Sequence, residues 1–170
     1  AFAALKNDGS VVTWGDYLAG GGGSIGWKKH NDYNNQDLIN NLKSGVVEIF
    51  SNDTAFAALK NDGSVVTWGG HYQPTGKYFY GYNGGGDTSS VKDKLTSGVK
   101  TIFSTGHAFA ALKNDGSVVT WGAEGAGGWG SSGWKKHNDY NNQDLINNLK
   151  SGVVEIFSND SAFAALKNDG

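Results

Sequence analysis

The segment SGVVEIFSNDTAFAALKNDGSVVTWG, residues 44–69, decides the fold of this chain. It contains three short runs rich in β-branched and aromatic residues, at 46–51, 55–60 and 64–69, and Asn, Asp and Gly residues separate the runs. Such runs are typical of β-strands joined by turns. The segment therefore predicts a small three-stranded antiparallel sheet.

The connection Lys60-Asn61-Asp62-Gly63 predicts a tight hairpin turn between the second and third strands. Asn and Asp suit a type I turn, and Gly63 has no Cβ to oppose the positive φ that returns the chain into the next strand. Gly9 and Gly116 occupy the same position in copies of this turn. We therefore assign all three glycines a structural role.

The strand at 55–60 is apolar on both sides. Alternation places Phe56 and Ala58 on one face, and Ala57 and Leu59 on the other. This pattern is expected when a sheet is covered on both faces, and the alanines allow a neighbouring sheet to come close. The Trp-Gly pair that closes each third strand is interpreted as packing between sheets. Its tryptophans are Trp14, Trp68 and Trp121.

The phrase AFAALKNDGSVVTWG is an internal repeat. It occurs at 1–15, 55–69 and 108–122, and its first nine residues recur at 162–170. The starts are 54, 53 and 54 residues apart. The stretches 1–63 and 108–170 contain the first and third copies with the residues that follow them. The two stretches differ at six positions, which in the first stretch are 16, 17, 18, 22, 25 and 54. The larger period is therefore a pair of units.

These spacings predict four segments. Residues 1–54 form a unit without its first strand, 55–107 a divergent unit with a Tyr-rich insertion, 108–161 a third unit, and 162–170 the start of a fourth. Both ends of the sequence are out of phase with the predicted sheets. We therefore expect the array to continue, either covalently or by association with copies of itself.

One short helix is predicted in each unit. In NNQDLINNLKSG (34–45), Asn34 or Asn35 suits the N-cap and Gly45 follows the last turn. Residues 89–97 predict the same helix in the middle unit. The expected fold is all-β, with tandem three- to four-stranded antiparallel blades arranged as a β-propeller-like or open stacked array.

The run 44–69 resembles the regulator-of-chromosome-condensation repeat. The shared features are Gly-Val, an Ile two residues on, a short loop, an Ala-Leu strand, Asp-Gly, a Val-rich strand and a closing Trp-Gly. The resemblance covers about half of each unit and implies β-propeller blades. It leaves out the Gly-Gln-Leu-Gly stretch that usually follows Trp-Gly in the family, because residues 70–73 read Gly-His-Tyr-Gln. No residue here matches the loops that carry nucleotide exchange in the founding protein.

Composition excludes several classes of function. The 170 residues include 14 lysines, no arginine and no cysteine, against 16 acidic residues. A basic groove for nucleic acid, disulfides and thiolate metal sites are therefore not expected. No apolar run approaches the roughly 20 residues of a membrane-spanning helix. We also expect no cofactor.

The sequence offers weak signs of catalysis or metal binding. The cluster His30, Asp32 and Asp37 supplies imidazole and carboxylate ligands, but its spacing matches neither a calcium loop nor a zinc helix. The runs GGGG (20–23) and GGG (84–86) lack the Lys-Ser/Thr of a phosphate loop and are interpreted as flexible loops. No enzyme activity is predicted.

Aromatic residues of the insertions are the candidates for ligand binding or self-association. Exposed tyrosines and tryptophans suit both sugar rings and protein surfaces. The candidates are Trp27, Tyr33, Tyr78, Tyr80, Tyr82, Trp129, Trp134 and Tyr140. Packing of these rings against their own blade is the competing interpretation. Asn52 and Asn159 begin possible N-glycosylation motifs in loops between strands.

The leading hypothesis is a non-enzymatic structural repeat protein that forms an extended or polymeric scaffold, at the cell surface or outside the cell. The near-identity of the units and the paired period support it. The alternative is a propeller-like binding module that takes a carbohydrate or protein ligand with the insertion aromatics. Self-association is the expected partnership under the first hypothesis, and glycans are a candidate partner under the second.

Overall fold

The computed structural model describes residues 1–16, 18–22, 36–70, 84–128 and 143–170. Within these ranges the chain forms ten β-strands, two α-helices and two 3-10 turns. The strands are β1 (Phe2–Leu5), β2 (Val11–Trp14), β3 (Val46–Ser51), β4 (Ala55–Lys60), β5 (Val65–Gly69), β6 (Val99–Ser104), β7 (Ala108–Lys113), β8 (Val118–Gly122), β9 (Val153–Ser158) and β10 (Phe163–Lys167). The helices are α1 (Gln36–Leu42) and α2 (Gln143–Asn148), and the 3-10 turns are Lys92–Leu95 and Glu124–Ala126.

The strands form four antiparallel sheets. Sheet 1 contains β1 and β2, sheet 2 has the order β3-β4-β5, sheet 3 has the order β6-β7-β8, and sheet 4 contains β9 and β10. The all-β prediction is confirmed. The three strands predicted from the segment 44–69 are those of sheet 2. Each three-stranded sheet takes its first strand from one sequence unit and its other two from the next.

The turn between β4 and β5 has the predicted conformation. Gly63 has a φ of 76°, and its N–H donates to the carbonyl oxygen of Lys60 at 2.9 Å. The N–H of Lys60 in turn donates to the carbonyl oxygen of Ser64 at 2.9 Å. Only glycine adopts this backbone region without strain, so the Asp-Gly pair fixes the hairpin register.

The four sheets stack face to face in chain order. Phe56 and Ala58 of β4 lie in the core shared with sheet 1, whereas Ala57 and Leu59 lie in the core shared with sheet 3. The predicted division of the two faces of this strand is therefore confirmed. Equivalent residues of sheet 3, such as Ala110, lie in the core shared with sheet 4. In the core between sheets 2 and 3, alanines of the central strands pack among larger side chains such as Phe109 and Trp121.

The middle unit departs from the prediction of an α-helix at 89–97. A 3-10 turn of four residues, Lys92–Leu95, stands there. The N–H of Ser89 donates to the Asp87 carboxylate at 2.9 Å, and the N–H of Val91 donates to the carbonyl of Thr88 at 2.9 Å. These local turns involve residues 87–91, and the helical segment begins at residue 92. None of the described helices is long and apolar enough to cross a membrane.

Candidate functional site

Three equivalent loops meet at the ends of β3, β6 and β9, the strands that contact one another between neighbouring sheets. We call them the polar loop cluster. Its members line an open depression of about 400 Å³. They are Ser51, Asn52, Asp53, Ser104, Thr105, Gly106, Ser158, Asn159 and Asp160.

Hydrogen bonds between successive loops hold the polar loop cluster together. The N–H of Asp53 donates to the carbonyl of Gly106 at 3.2 Å, and the N–H of Gly106 donates to the carbonyl of Asp160 at 2.9 Å. The hydroxyl of Ser104 donates to the carbonyl of Ser51 at 2.9 Å. Each bond joins one sheet to the next, so this cluster connects sheets 2, 3 and 4.

Side chains of the polar loop cluster also stabilise their own turns. Oδ1 of Asn52 accepts from the N–H of Ala55 at 2.8 Å, and Asn159 makes the equivalent bond with Ala162 at 2.8 Å. Nδ2 of Asn52 donates to the carbonyl of Gly84 at 2.7 Å. This nitrogen is the atom that a glycan would modify, so modification of Asn52 would break a bond to the glycine run. Asn159 is exposed.

The chemistry of the polar loop cluster is that of hydroxyls, amides and two exposed carboxylates, Asp53 and Asp160. Among the residues that the structure describes, no aromatic ring lines the depression. Across the part of the chain that the structure describes, no three His, Cys, Asp or Glu side chains group as a metal site. Asp37 is exposed in the first turn of α1, while His30 and Asp32 lie outside the described residues. The suggested cation cluster therefore stays a prediction.

The insertion aromatics proposed for binding lie outside the described residues. This holds for Trp27, Tyr33, Tyr78, Tyr80, Tyr82, Trp129, Trp134 and Tyr140. Their role in sugar binding or self-association therefore stays a prediction. The structure does define the junctions between consecutive units, and these junctions contain other aromatic residues.

The junctions of sheets 1 and 2 and of sheets 2 and 3 each contain a stacked Phe–Trp pair on neighbouring strands. Phe56 and Trp68 have ring centroids 5.3 Å apart, and Phe109 and Trp121 have centroids 5.4 Å apart. Both tryptophans are buried, with exposed fractions of 3% and 2%. Trp14 of sheet 1 stacks on Phe2 at 5.5 Å but is 50% exposed.

A glycine from the preceding unit covers each buried ring pair. A Cβ on Gly20 would lie 2.8 Å from Cδ1 of Trp68, and one on Gly85 would lie 2.6 Å from Cδ2 of Phe109. Gly127 stands in the same relation to Phe163, at 2.7 Å. We call this arrangement the glycine cover. Only a residue without a side chain fits at these positions, and all three have φ near 92°.

The described glycines of the two runs, at 20–22 and 84–86, are therefore packed structure, which corrects their interpretation as flexible loops. Gly20 to Gly22 and Gly84 to Gly85 are buried. A Cβ on Gly86 would collide with the carbonyl of Gly69. The sequence carried a signal for this packing, because a glycine lies six residues after both Trp14 and Trp121.

The Asp-Gly turns make a second contact between units, at the opposite ends of the sheets. The N–H of Val99 donates to the carbonyl of Gly63 at 3.0 Å, across the junction of sheets 2 and 3. A Cβ on Gly63 would lie 2.8 Å from the backbone nitrogen of Gly98. Gly9 and Gly116 accept the same bond from Val46 and Val153 at 3.0 Å. The glycine of each turn therefore allows the hairpin to form and also allows the next sheet to come close.

Asp8, Asp62 and Asp115, which lie in three of these turns, have lowered pKa values. Ser64 donates from its hydroxyl at 2.6 Å and from its N–H at 2.9 Å to Asp62. These two bonds, the hydroxyl first, stabilise the carboxylate and lower its pKa, and Ser117 does the same for Asp115. The turn aspartates are thus charged and bonded over the neutral pH range.

Comparison with known proteins identifies no relative. No family model matches this chain, and no curated protein matches it. The resemblance to the regulator-of-chromosome-condensation repeat therefore rests on the motif within 44–69 alone. Function has to be argued from the junctions between units.

Proposed function

We propose that this protein is a non-enzymatic structural repeat protein, in which units extend a scaffold by packing on copies of themselves. The observation that carries the proposal is the double coverage of the central strands. Every residue from Ala55 to Leu59 in β4, and from Ala108 to Leu112 in β7, is buried between neighbouring sheets. A unit on each side therefore removes both apolar faces of these strands from water, which stabilises them.

The junction chemistry supports the same function. The contacts use residues that recur along the chain: the Phe–Trp pair at the first two junctions, and the glycine cover and the turn glycine at all three. An array grows by addition of such units because each unit presents one face to its predecessor and the other to its successor. The proposal includes two further points. The repeat is a divergent one of the regulator-of-chromosome-condensation type, and the protein lies at the cell surface or outside the cell.

Two surfaces of the chain can accept a further unit. Phe2, Val12 and Trp14 are exposed on the outer face of sheet 1, and they are the equivalents of Phe56, Val66 and Trp68 in the core between sheets 1 and 2. On the other side, Phe157 and Leu166 of sheet 4 are exposed. Apolar patches of this kind mark interaction surfaces. The internal junctions indicate that a like unit fits them.

Sedimentation velocity and negative-stain electron microscopy of the 170-residue protein test the proposal. We expect species that grow with concentration and elongated particles that lengthen in steps of one chain. Val12→Asp is the matched control, because it places a charge on the outer face of sheet 1 and should keep the protein monomeric. Compact monomers of the unsubstituted protein at every concentration would refute the proposal.

A further inference from the structure

The hairpin turns at Asp62-Gly63 and Asp115-Gly116 contain a sequence that is chemically reactive. In an Asp-Gly sequence the glycine nitrogen can attack Cγ of the aspartic acid, because no side chain on the glycine hinders the approach. An N–Cγ bond forms, a Cγ–O bond breaks, and the amide proton leaves with the hydroxyl as water. Water then opens the resulting cyclic imide at either carbonyl, and one of the two products, isoaspartate, carries an additional methylene in the backbone.

Isoaspartate at these turns would disturb contacts on which the fold depends. The N–H of Gly63 donates to the carbonyl of Lys60 at 2.9 Å, and the carbonyl of Gly63 accepts from the N–H of Val99 in sheet 3 at 3.0 Å. A longer backbone at residue 62 would shift both groups. The surroundings leave little room for such a shift, since a Cβ on Gly63 would lie 2.8 Å from the backbone nitrogen of Gly98.

Burial does not protect the reactive carboxyl groups. Asp62 and Asp115 are exposed, so water reaches the side chains that would form the imide. Protection in the folded protein therefore has to come from the hydrogen bonds and the packing of the turn itself.

Hydrogen bonds hold both reacting groups of the Asp62 turn. Oδ1 of Asp62 accepts from the hydroxyl of Ser64 at 2.6 Å and from its N–H at 2.9 Å, while the N–H of Gly63 is held by Lys60. Ring closure brings Cγ to the glycine nitrogen and takes the proton from that nitrogen, so it requires these bonds to break. The bonds from Ser64 also lower the pKa of Asp62 and keep its carboxyl group charged. The charged form reacts poorly because it lacks the hydroxyl that leaves as water.

The second turn repeats this arrangement with the equivalent residues. Ser117 donates to Oδ1 of Asp115 from its hydroxyl at 2.6 Å and from its N–H at 2.9 Å, and Gly116 donates to the carbonyl of Lys113 at 3.0 Å. The chain thus contains two copies of one reactive site, each with the same hydroxyl on its carboxylate. One turn can therefore serve as the matched control for the other.

We propose that Ser64 and Ser117 protect the Asp-Gly sequences that precede them from conversion to isoaspartate. The serine hydroxyl fixes the carboxyl group on the serine and so opposes its reaction with the glycine nitrogen. The protection acts within one hairpin. It therefore goes beyond the proposed scaffold function and does not depend on the assembly of units.

Ageing of the folded protein tests the proposal. The unsubstituted protein and Ser64→Ala are incubated at mildly acidic pH, and liquid chromatography with mass spectrometry then separates the isoaspartate forms of the tryptic peptides. Peptides 61–77 and 114–135 report the two turns separately, because their sequences differ after the shared repeat. We expect isoaspartate at residue 62 to form about 2- to 10-fold faster in Ser64→Ala, the factor that corresponds to one hydrogen bond of typical net strength. The rate at residue 115 should not change.

Further measurements separate protection from a general loss of folding. Ser117→Ala should reverse the pattern, with a faster reaction at residue 115 and no change at residue 62. Ser64→Thr retains a hydroxyl and should keep the rate at residue 62 low. Denaturing urea, which breaks the bonds of both turns, should raise the rate at both residues of the unsubstituted protein.

Two results would overturn the inference. An equal change at residues 62 and 115 in Ser64→Ala, or no change at either, would show that the serine hydroxyl does not protect its own turn. Rates in the folded protein as high as those in urea would show that the turns give no protection. Neither result bears on the scaffold proposal, which is tested by association of the protein.

Discussion

The indole Nε1 of Trp121 donates a hydrogen bond to the carbonyl oxygen of Gly85, 36 residues earlier in the chain, at 2.9 Å. The same glycine lies against the ring of Phe109, which stacks on Trp121. One residue without a side chain thus supplies both the acceptor and the surface on which the aromatic pair packs. The junction of sheets 2 and 3 depends on this arrangement.

Gly85→Ala is expected to destabilise the protein by about 2–6 kcal/mol, because overpacking of a core and a positive φ each cost roughly 1–3 kcal/mol. The added Cβ would lie 2.6 Å from Phe109 and force the ring to move. Urea unfolding followed by tryptophan fluorescence measures the change. Gly125→Ala is the control, since a Cβ there meets nothing within 4 Å. Equal stability of the two variants would contradict the glycine cover.

Trp121→Phe is expected to cost more than Trp68→Phe. Both rings are buried and stacked, but Nε1 of Trp68 has no partner among the described residues, whereas Trp121→Phe removes the hydrogen bond from Nε1 to the Gly85 carbonyl. The difference should be about 0.5–1.5 kcal/mol, the net contribution of a typical hydrogen bond. Thermal and urea unfolding of the two single variants provide the comparison. A larger loss in Trp68→Phe would show that ring packing, and not the hydrogen bond, dominates.

Local features of the fold were predictable from the sequence. Strands β3, β4 and β5 follow from the β-branched runs, and the division of β4 into two buried faces follows from its alternation. The turn at Gly63 follows from Asn-Asp-Gly chemistry. Each of these signals lies within a few neighbouring residues, which is why reasoning on one segment recovers them.

The contacts between units were not predictable in the same way. Gly85 touches residues 24 and 36 positions later, and nothing next to Gly85 in the sequence distinguishes a packed glycine from a mobile one. The polar loop cluster likewise forms from Asp53, Gly106 and Asp160, which are 53 and 54 residues apart. The 3-10 turn at Lys92–Leu95 replaced a predicted helix because local hydrogen bonds of Asp87 and Thr88 compete with it.

In sheets 2, 3 and 4, a lysine at the end of the second strand stabilises the end of the preceding helical segment. Nζ of Lys113 donates to the carbonyl of Lys94 at 2.9 Å, and Lys60 donates to Asn41 at 3.2 Å. Lys113→Met is expected to lower stability by about 0.5–1 kcal/mol, because these bonds are solvent-exposed. Lys6→Met is the control, since Lys6 contacts only the exposed Asp8 at 3.3 Å among described partners. Urea midpoints should separate the variants, and an equal effect of both would contradict the role given to Lys113.

The turn aspartates predict a loss of stability in acid. Hydrogen bonds from Ser10, its hydroxyl first, lower the pKa of Asp8 from 3.8 to about 2, and the pKa values of Asp62 and Asp115 are lowered in the same way. A carboxyl group whose pKa is lower in the folded than in the unfolded state stabilises the fold above its unfolded pKa. That contribution is lost as the pH falls through the folded pKa.

We therefore expect the urea midpoint to fall between about pH 4 and pH 2, the interval between the unfolded and folded pKa values, as the turn carboxylates take up protons. Unfolding curves at several pH values in this interval measure the effect. In Ser64→Ala, Asp62 loses its hydroxyl donor, so the fall should be shallower than in the unsubstituted protein. Ser89→Ala serves as the control, because only its backbone N–H bonds an aspartate. An identical pH dependence in Ser64→Ala and the unsubstituted protein would show that the turn hydrogen bonds do not set acid stability.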